Sequence, residues 1–120
     1  MAEKNAIVLK SKAFALRIIR LYQFLHQNHE FVMSRQMLRS GTSIGANVKE
    51  AMRGQSKADF YAKLNIALKE AGETEYWLEL LFESGYIKDV SAYRSIYRDC
   101  QEIISILVAI TKTQKNNMDN

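Results

Sequence analysis

The stretch Ser34–Gly54, SRQMLRSGTSIGANVKEAMRG, constrains this chain more than any other. Successive residues of an α-helix stand about 100° apart, so positions three and four apart share a face. On such a helix Met37, Gly41, Ile44, Val48 and Ala51 make an apolar stripe. Gln36, Ser40, Ser43 and Asn47 make a small polar stripe beside it, and Arg35, Arg39, Lys49 and Arg53 fall opposite Met37. The first face can enter a core, the second can sit close to a neighbour, and the third can meet an anion. Gly41 and Gly45 each disfavour a helix interior by roughly 1 kcal/mol relative to Ala. Close approach by a neighbouring helix is expected to offset that. Ser34 is the expected N-cap and Gly54 the expected stop.

The rest of the chain repeats the helical period. From Ser11, the residues Phe14, Ile18, Leu21 and Leu25 recur at heptad-like spacing, widened by Ala15 and Tyr22. Residues 1–10 carry weak signals and either fray or extend this helix. Leu16 and Phe24 point away from the stripe, as ordinary surface or as a contact with another subunit. Gln27–Met33, with Asn28, is the expected turn. Ser56 caps a third helix, with Asp59 in its first turn favouring the helix dipole. Its core stripe is Phe60, Leu64, Ala67, Ala71, Leu78 and Phe82, and it ends near Ser84-Gly85. A second stripe on it runs Ile66, Glu70, Glu73, Trp77 and Leu80. That stripe is either a wide core edge with solvated glutamates or a subunit interface. The position of Trp77, well off the core stripe, favours the interface, with Ile66 and Trp77 as anchors and the glutamates paired to arginines.

Asp89 or Ser91 caps a fourth helix, striped by Ile96, Cys100, Ile103, Leu107 and Ile110 and widened by Tyr93 and Ile104. The polar stretch Thr113–Asn120 is expected to be a disordered tail. The chain has no proline and five glycines, which suits long helices. Its 120 residues suffice for one domain with a real core but not for two, and 48% hydrophobic residues exclude a disordered chain. The expected fold is therefore all-α, an antiparallel up-down four-helix bundle in a single domain. Ile44, Leu64, Leu78, Ile103 and Leu107 should be nearly inaccessible.

Chemistry is scarce. Cys100 is the only cysteine, which excludes an intramolecular disulfide and a cysteine zinc cluster. His26 and His29 stand three apart without a carboxylate at ligand spacing, so they read as surface histidines. Glu70 and Glu73 resemble half of a di-metal carboxylate set, but that site needs two Glu-x-x-His motifs and the chain has none. Cys100 lies on the apolar stripe, as a buried inert thiol does. The glycines of SGTSIGAN lie inside an expected helix with no strand before them, unlike a phosphate loop. Glu75 falls near the core stripe and must reach water or take a partner such as Tyr22, Tyr61 or an arginine. No nucleophile–base pair or metal set emerges, so neither an enzyme nor a cofactor is expected. The N-terminus MAEKNAIVLK lacks the apolar core of a signal peptide. The longest apolar run, near Ile103–Ile110, is broken by Ser105, so no membrane span and a cytoplasmic location are expected.

Function must then lie in surfaces. The formal net charge is +4 and the pI is near 9.2. Arg35, Arg39, Lys49 and Arg53 line one face over about 27 Å. Arg17 and Arg20, and Arg94 and Arg98, add basic pairs on the first and fourth helices. Arginine forks suit phosphate oxygens, and repetition of the stripe in an oligomer would multiply the field. The expected role is a non-enzymatic oligomeric protein that binds RNA or DNA through these eight residues. Ser40, Ser43, Asn47, Ile66, Glu70, Glu73 and Trp77 are expected at or beside a helix–helix or subunit contact. The alternative is an interaction scaffold or accessory subunit that docks a protein partner while the basic stripe is merely solvated.

The run RSGTSIGANVKEA, then S-x-x-D-F and ALKEAGETEYWLELL, resembles the small bacterial four-helix-bundle family encoded by intervening sequences of 23S ribosomal RNA genes, often labelled S23 ribosomal protein. The resemblance runs from about Arg17 to Ile110 and is strongest at Arg39–Glu50 and Ser56–Leu81. It implies an up-down bundle able to assemble as a homopentamer, with a basic surface for nucleic acid. It supplies no catalytic residues. A more distant likeness is to the accessory protein of diversity-generating retroelements, which partners a reverse transcriptase.

Overall fold

The structure, a computed structural model, describes the backbone of residues 2–119 and the side chains of residues 2 and 4–113. Four helices follow one another: α1 Ala2–Gln27, α2 Met33–Met52, α3 Lys57–Glu83 and α4 Val90–Asp119. No strand occurs among the described residues. The links 28–32, 53–56 and 84–89 are too short for anything but antiparallel neighbours. Side-chain register agrees. Lys10 pairs with Glu102 and Arg17 with Asp99 across α1 and α4, while Lys63 pairs with Glu50 across α3 and α2. Each helix packs on two others, α1 and α3 lie diagonally opposed, and so do α2 and α4. The result is an up-down four-helix bundle about 50 × 22 × 21 Å.

The apolar stripes meet along the axis. Ile44, Leu64, Leu78 and Leu107 are fully buried and Ile103 is 1% exposed. α1 starts earlier than the weak signals of residues 1–10 suggest, because Ile7, one heptad before Phe14, is fully buried in the same core. α4 remains helical through Asp119, so a tail beginning at Thr113 does not coincide with a helix end. The side chains of 114–120 lie outside the described residues.

The helix ends show where local sequence decides. Ser34 is not the N-cap of α2. That position is Val32, which makes no capping bond with its side chain. Glu30 supplies the cap instead: Oε1 accepts from the amides of Val32 at 3.1 Å and Met33 at 2.9 Å, and Oε2 accepts from Ser34 N at 2.6 Å. A carboxylate outcompetes a hydroxyl here because it can take several orphan amides at once and complements the helix dipole. The Ser34 hydroxyl, buried in the first turn, donates to the Glu30 carbonyl at 2.8 Å. The turn before it is closed by His29 at φ 65°, which lets Glu30 N donate to the Leu25 carbonyl at 2.9 Å. The other caps follow expectation. Gly54 ends α2, Ser56 Oγ accepts from Asp59 N at 3.1 Å, and Asp89, not Ser91, accepts from Ala92 N at 3.0 Å. At the end of α3, Gly85 adopts φ 88° and turns the chain so that Ile87 is buried in the core.

The two glycines inside α2 have the expected cause. A Cβ on Gly41 would stand 2.9 Å from both Cγ1 and Cγ2 of Ile18, and one on Gly45 would stand 3.4 Å from the Ser11 carbonyl oxygen. Both therefore mark the line along which α1 lies against α2.

Candidate nucleic-acid interface

The small polar stripe of α2 faces α3. Ser40 and Thr74 are both fully buried, and the Thr74 hydroxyl donates to Ser40 Oγ at 2.8 Å. Ser43 and Asn47 turn back onto their own helix, donating to the carbonyls of Arg39 at 2.7 Å and Ser43 at 2.9 Å. At the outer margin of this seam Arg39 reaches across to Glu70, at 3.3 Å, and to Glu73. Glu73 also accepts from Trp77 Nε1 at 3.0 Å. The Trp77 hydrogen bond, together with Arg39, holds the Glu73 carboxyl below its usual range despite burial. Thus Ser40, Glu70, Glu73 and Trp77 lie at a helix–helix contact within one chain. Half-buried Trp77 packs against its own core, whereas Ile66 remains 41% exposed.

Thr74 was missing from the sequence-based set. Its signal was a polar residue between the core positions Ala71 and Leu78. The acidic partners of α1, Asp99 and Glu102, could not be read from spacing at all, because the pairs bridge more than 80 residues of chain.

The eight candidate cations divide into three groups. Arg39 is bound to α3 carboxylates, and Arg17 is bound to Asp99 at 2.5 Å. Arg35 and Lys49 on α2 and Arg53 at its C-cap are exposed and make no ion pair among the described residues. Arg94 and Arg98 are exposed on α4, flanking Ser91 and Ser95, and Arg20 lies beside Tyr93 and Ile96 where α1 meets α4. Because α2 and α4 are diagonal, their outward faces point to opposite sides of the bundle. The α4 pair therefore does not extend the α2 row within one chain.

Charge is sorted by half. Residues 1–53 hold nine of the 17 lysines and arginines but three of the 13 acidic residues, a formal +6, and residues 54–120 carry −2. Six of the acids stand on α3. Glu75 and Glu79 sit on its side facing α4, where the Tyr97 hydroxyl donates to Glu79 at 2.5 Å. Burial, aided by Glu79, pushes the Glu75 carboxyl up, and it takes neither Tyr22, Tyr61 nor an arginine as partner. Burial also drives the Cys100 thiol up to about 12, and its Sγ lies 3.4 Å from the Ala71 carbonyl, so it is an inert packing group. Among the described residues, no group of three or more His, Cys, Asp or Glu side chains could hold a metal ion. No helix among them is long and apolar enough to cross a membrane.

The fold and the glycine-bearing α2 can be compared with known proteins. The family model described as 23S rRNA-intervening sequence protein matches residues 3–109. The chain belongs to that family. Among solved structures, it is similar to a crystal structure of a protein of unknown function from the S23 ribosomal protein family of Bacteroides thetaiotaomicron VPI-5482. The two share 57% sequence identity with a TM-score of 0.88, over 92% of this chain and 98% of that one. Comparison with curated proteins gives no match. The close match to that solved structure agrees with the four-helix bundle described above.

Proposed function

We propose that this member of the 23S rRNA-intervening sequence protein family is a non-catalytic oligomeric protein that binds RNA or DNA through the basic α1–α2 hairpin. The observation that carries this reading is the sorting of charge, +6 on residues 1–53, with Arg35, Lys49 and Arg53 exposed and without an ion pair among the described residues. Cations free of internal partners keep their full attraction for phosphate, whereas Arg39 and Arg17 would have to leave a carboxylate first. An oligomer supported by family resemblance to a homopentamer would bring several hairpins together. Ile66 and Tyr76, both exposed on α3, are the proposed outer contacts for it. Cytoplasmic location is part of the proposal, supported by the buried free thiol of Cys100.

The test is binding to single-stranded RNA, duplex RNA and duplex DNA over a salt series. Contact through phosphates should weaken steeply with salt and depend little on sequence. Replacing Arg35, Lys49 and Arg53 by Ala should lower both affinity and salt slope, by about one to three phosphate contacts per engaged subunit. Absence of binding by the unaltered protein at low salt would sink the proposal. An unchanged slope in the triple variant would move the contact to Arg94 and Arg98.

A further inference from the structure

The seam between α1 and α2 carries a feature that phosphate binding does not use. A groove of about 440 Å³ runs along it, floored by Ala15, Gly45 and Ala46. Val8 and Met52 form its margin, 38% and 37% exposed. Lys12, Lys49 and Arg53 line it as well, and among the described residues no carboxylate does. None of these three cations makes an ion pair among the described residues. The trough is a consequence of the glycine line. Gly45 brings the α1 backbone close, and the small floor side chains leave the ridges of both helices standing on either side. Its α2 wall, from Thr42 to Arg53, spans about three helical turns.

We propose that this groove docks an acidic amphipathic helix of a partner protein, its apolar face on Ala46, Val8 and Met52 and its carboxylates against Lys12, Lys49 and Arg53. Charge and polarity together select this occupant. A phosphate backbone would neutralise the cations but leave the apolar margin wet. A second copy of this chain is a poorer fit, since on its acidic helix α3 Glu70 and Glu73 are held by Arg39 and Glu79 by Tyr97, and the exposed acids that remain, Asp59 and Glu83, stand at opposite ends of the helix. The inference goes beyond nucleic-acid binding, yet Lys49 and Arg53 serve both surfaces, so the two ligands should compete.

The probe is a synthetic helical peptide of about 18 residues, long enough to hold helix in water, with an alanine–leucine stripe flanked by glutamates. Titration of the full chain should show saturable binding, and Ala46→Trp, an exposed position, should weaken it about tenfold or more by filling the groove. Lys12→Ala should weaken it and flatten its salt dependence. Ala46→Trp should leave nucleic-acid affinity unchanged, which also reports that the variant is folded. Arg35→Ala should affect nucleic acid and spare the peptide, so failure of one reading is distinguishable from failure of the other. Three results would overturn the proposal: no peptide binding by the unaltered chain, peptide affinity untouched by Ala46→Trp, or equal binding of a peptide with the same charge and scrambled apolar positions.

Discussion

Thr74 Oγ1 and Ser40 Oγ lie 2.8 Å apart in the interior, and each hydroxyl is held on both sides. Thr74 Oγ1 also lies 2.8 Å from the Glu70 carbonyl, and Ser40 Oγ lies 3.3 Å from the Met37 carbonyl. Two protons serve this short chain of acceptors, and it fixes the register of α2 against α3. Thr74→Val keeps the shape and removes one hydroxyl, and should cost about 1 kcal/mol in denaturant unfolding. Ser40→Ala with Thr74→Val should cost less than the two single changes added, because neither partner is then left behind. Strict additivity would show that the hydroxyls do not act as a pair.

The glycines of the chain should respond to alanine in opposite directions. At Gly41 the new Cβ meets a buried, β-branched Ile18 at 2.9 Å, so Gly41→Ala should destabilise by about 1–3 kcal/mol through overpacking. Gly72 meets nothing within 4 Å, and Gly72→Ala should stabilise by about 1 kcal/mol through helix propensity alone. Thermal melting of both variants against the parent checks the contrast.

His29 sits in the left-handed region that favours glycine. His29→Gly should relieve that strain and raise stability by about 0.5–1 kcal/mol, less whatever the extra freedom of the unfolded chain removes. A lowered Tm would mean that its ring contact with Phe31, at 6.1 Å between centroids, matters more than the backbone.

Two glutamates should give opposite pH responses. Burial raises the Glu30 carboxyl, but the amides of Ser34, Met33 and Val32 and the Ser34 hydroxyl outweigh it and hold the group below its usual range. A depressed carboxylate adds stability above its unfolded pKa that is lost as pH falls through the folded value. Glu30→Gln should therefore lower Tm at pH 7 and shrink the loss seen on acidification. Glu75 has the opposite sign, since burial and then Glu79 raise it. Its destabilising contribution is present once pH exceeds its folded pKa and is absent below the unfolded one. Glu75→Gln should raise Tm at pH 7 and have little effect near pH 3. The pair of melting curves across pH decides both.

The sequence by itself determined the four helices, their apolar stripes and most of their caps, because period 3.6 and capping chemistry are local. Ile44, Leu64 and Leu107 could be placed in the core from spacing alone, and Gly41 and Gly45 announced a close neighbour before that neighbour was known to be α1. The turn expected over Gln27–Met33 is where the chain turns, but the cap of α2 went to Glu30 rather than Ser34, because the left-handed His29 sets the Glu30 carboxylate against the first amides of the helix. The basic face of α2 was legible as a row, but only tertiary structure divided it. Arg39 leans toward Glu70 and Glu73 on α3, while Lys49 and Arg53 lean toward α1 and border its groove. Whether a surface cation is spent or free depends on which carboxylates the fold brings within ion-pair reach. For Arg39 and Arg17 those carboxylates stand 31, 34 and 82 positions away, where sequence spacing carries no information on distance.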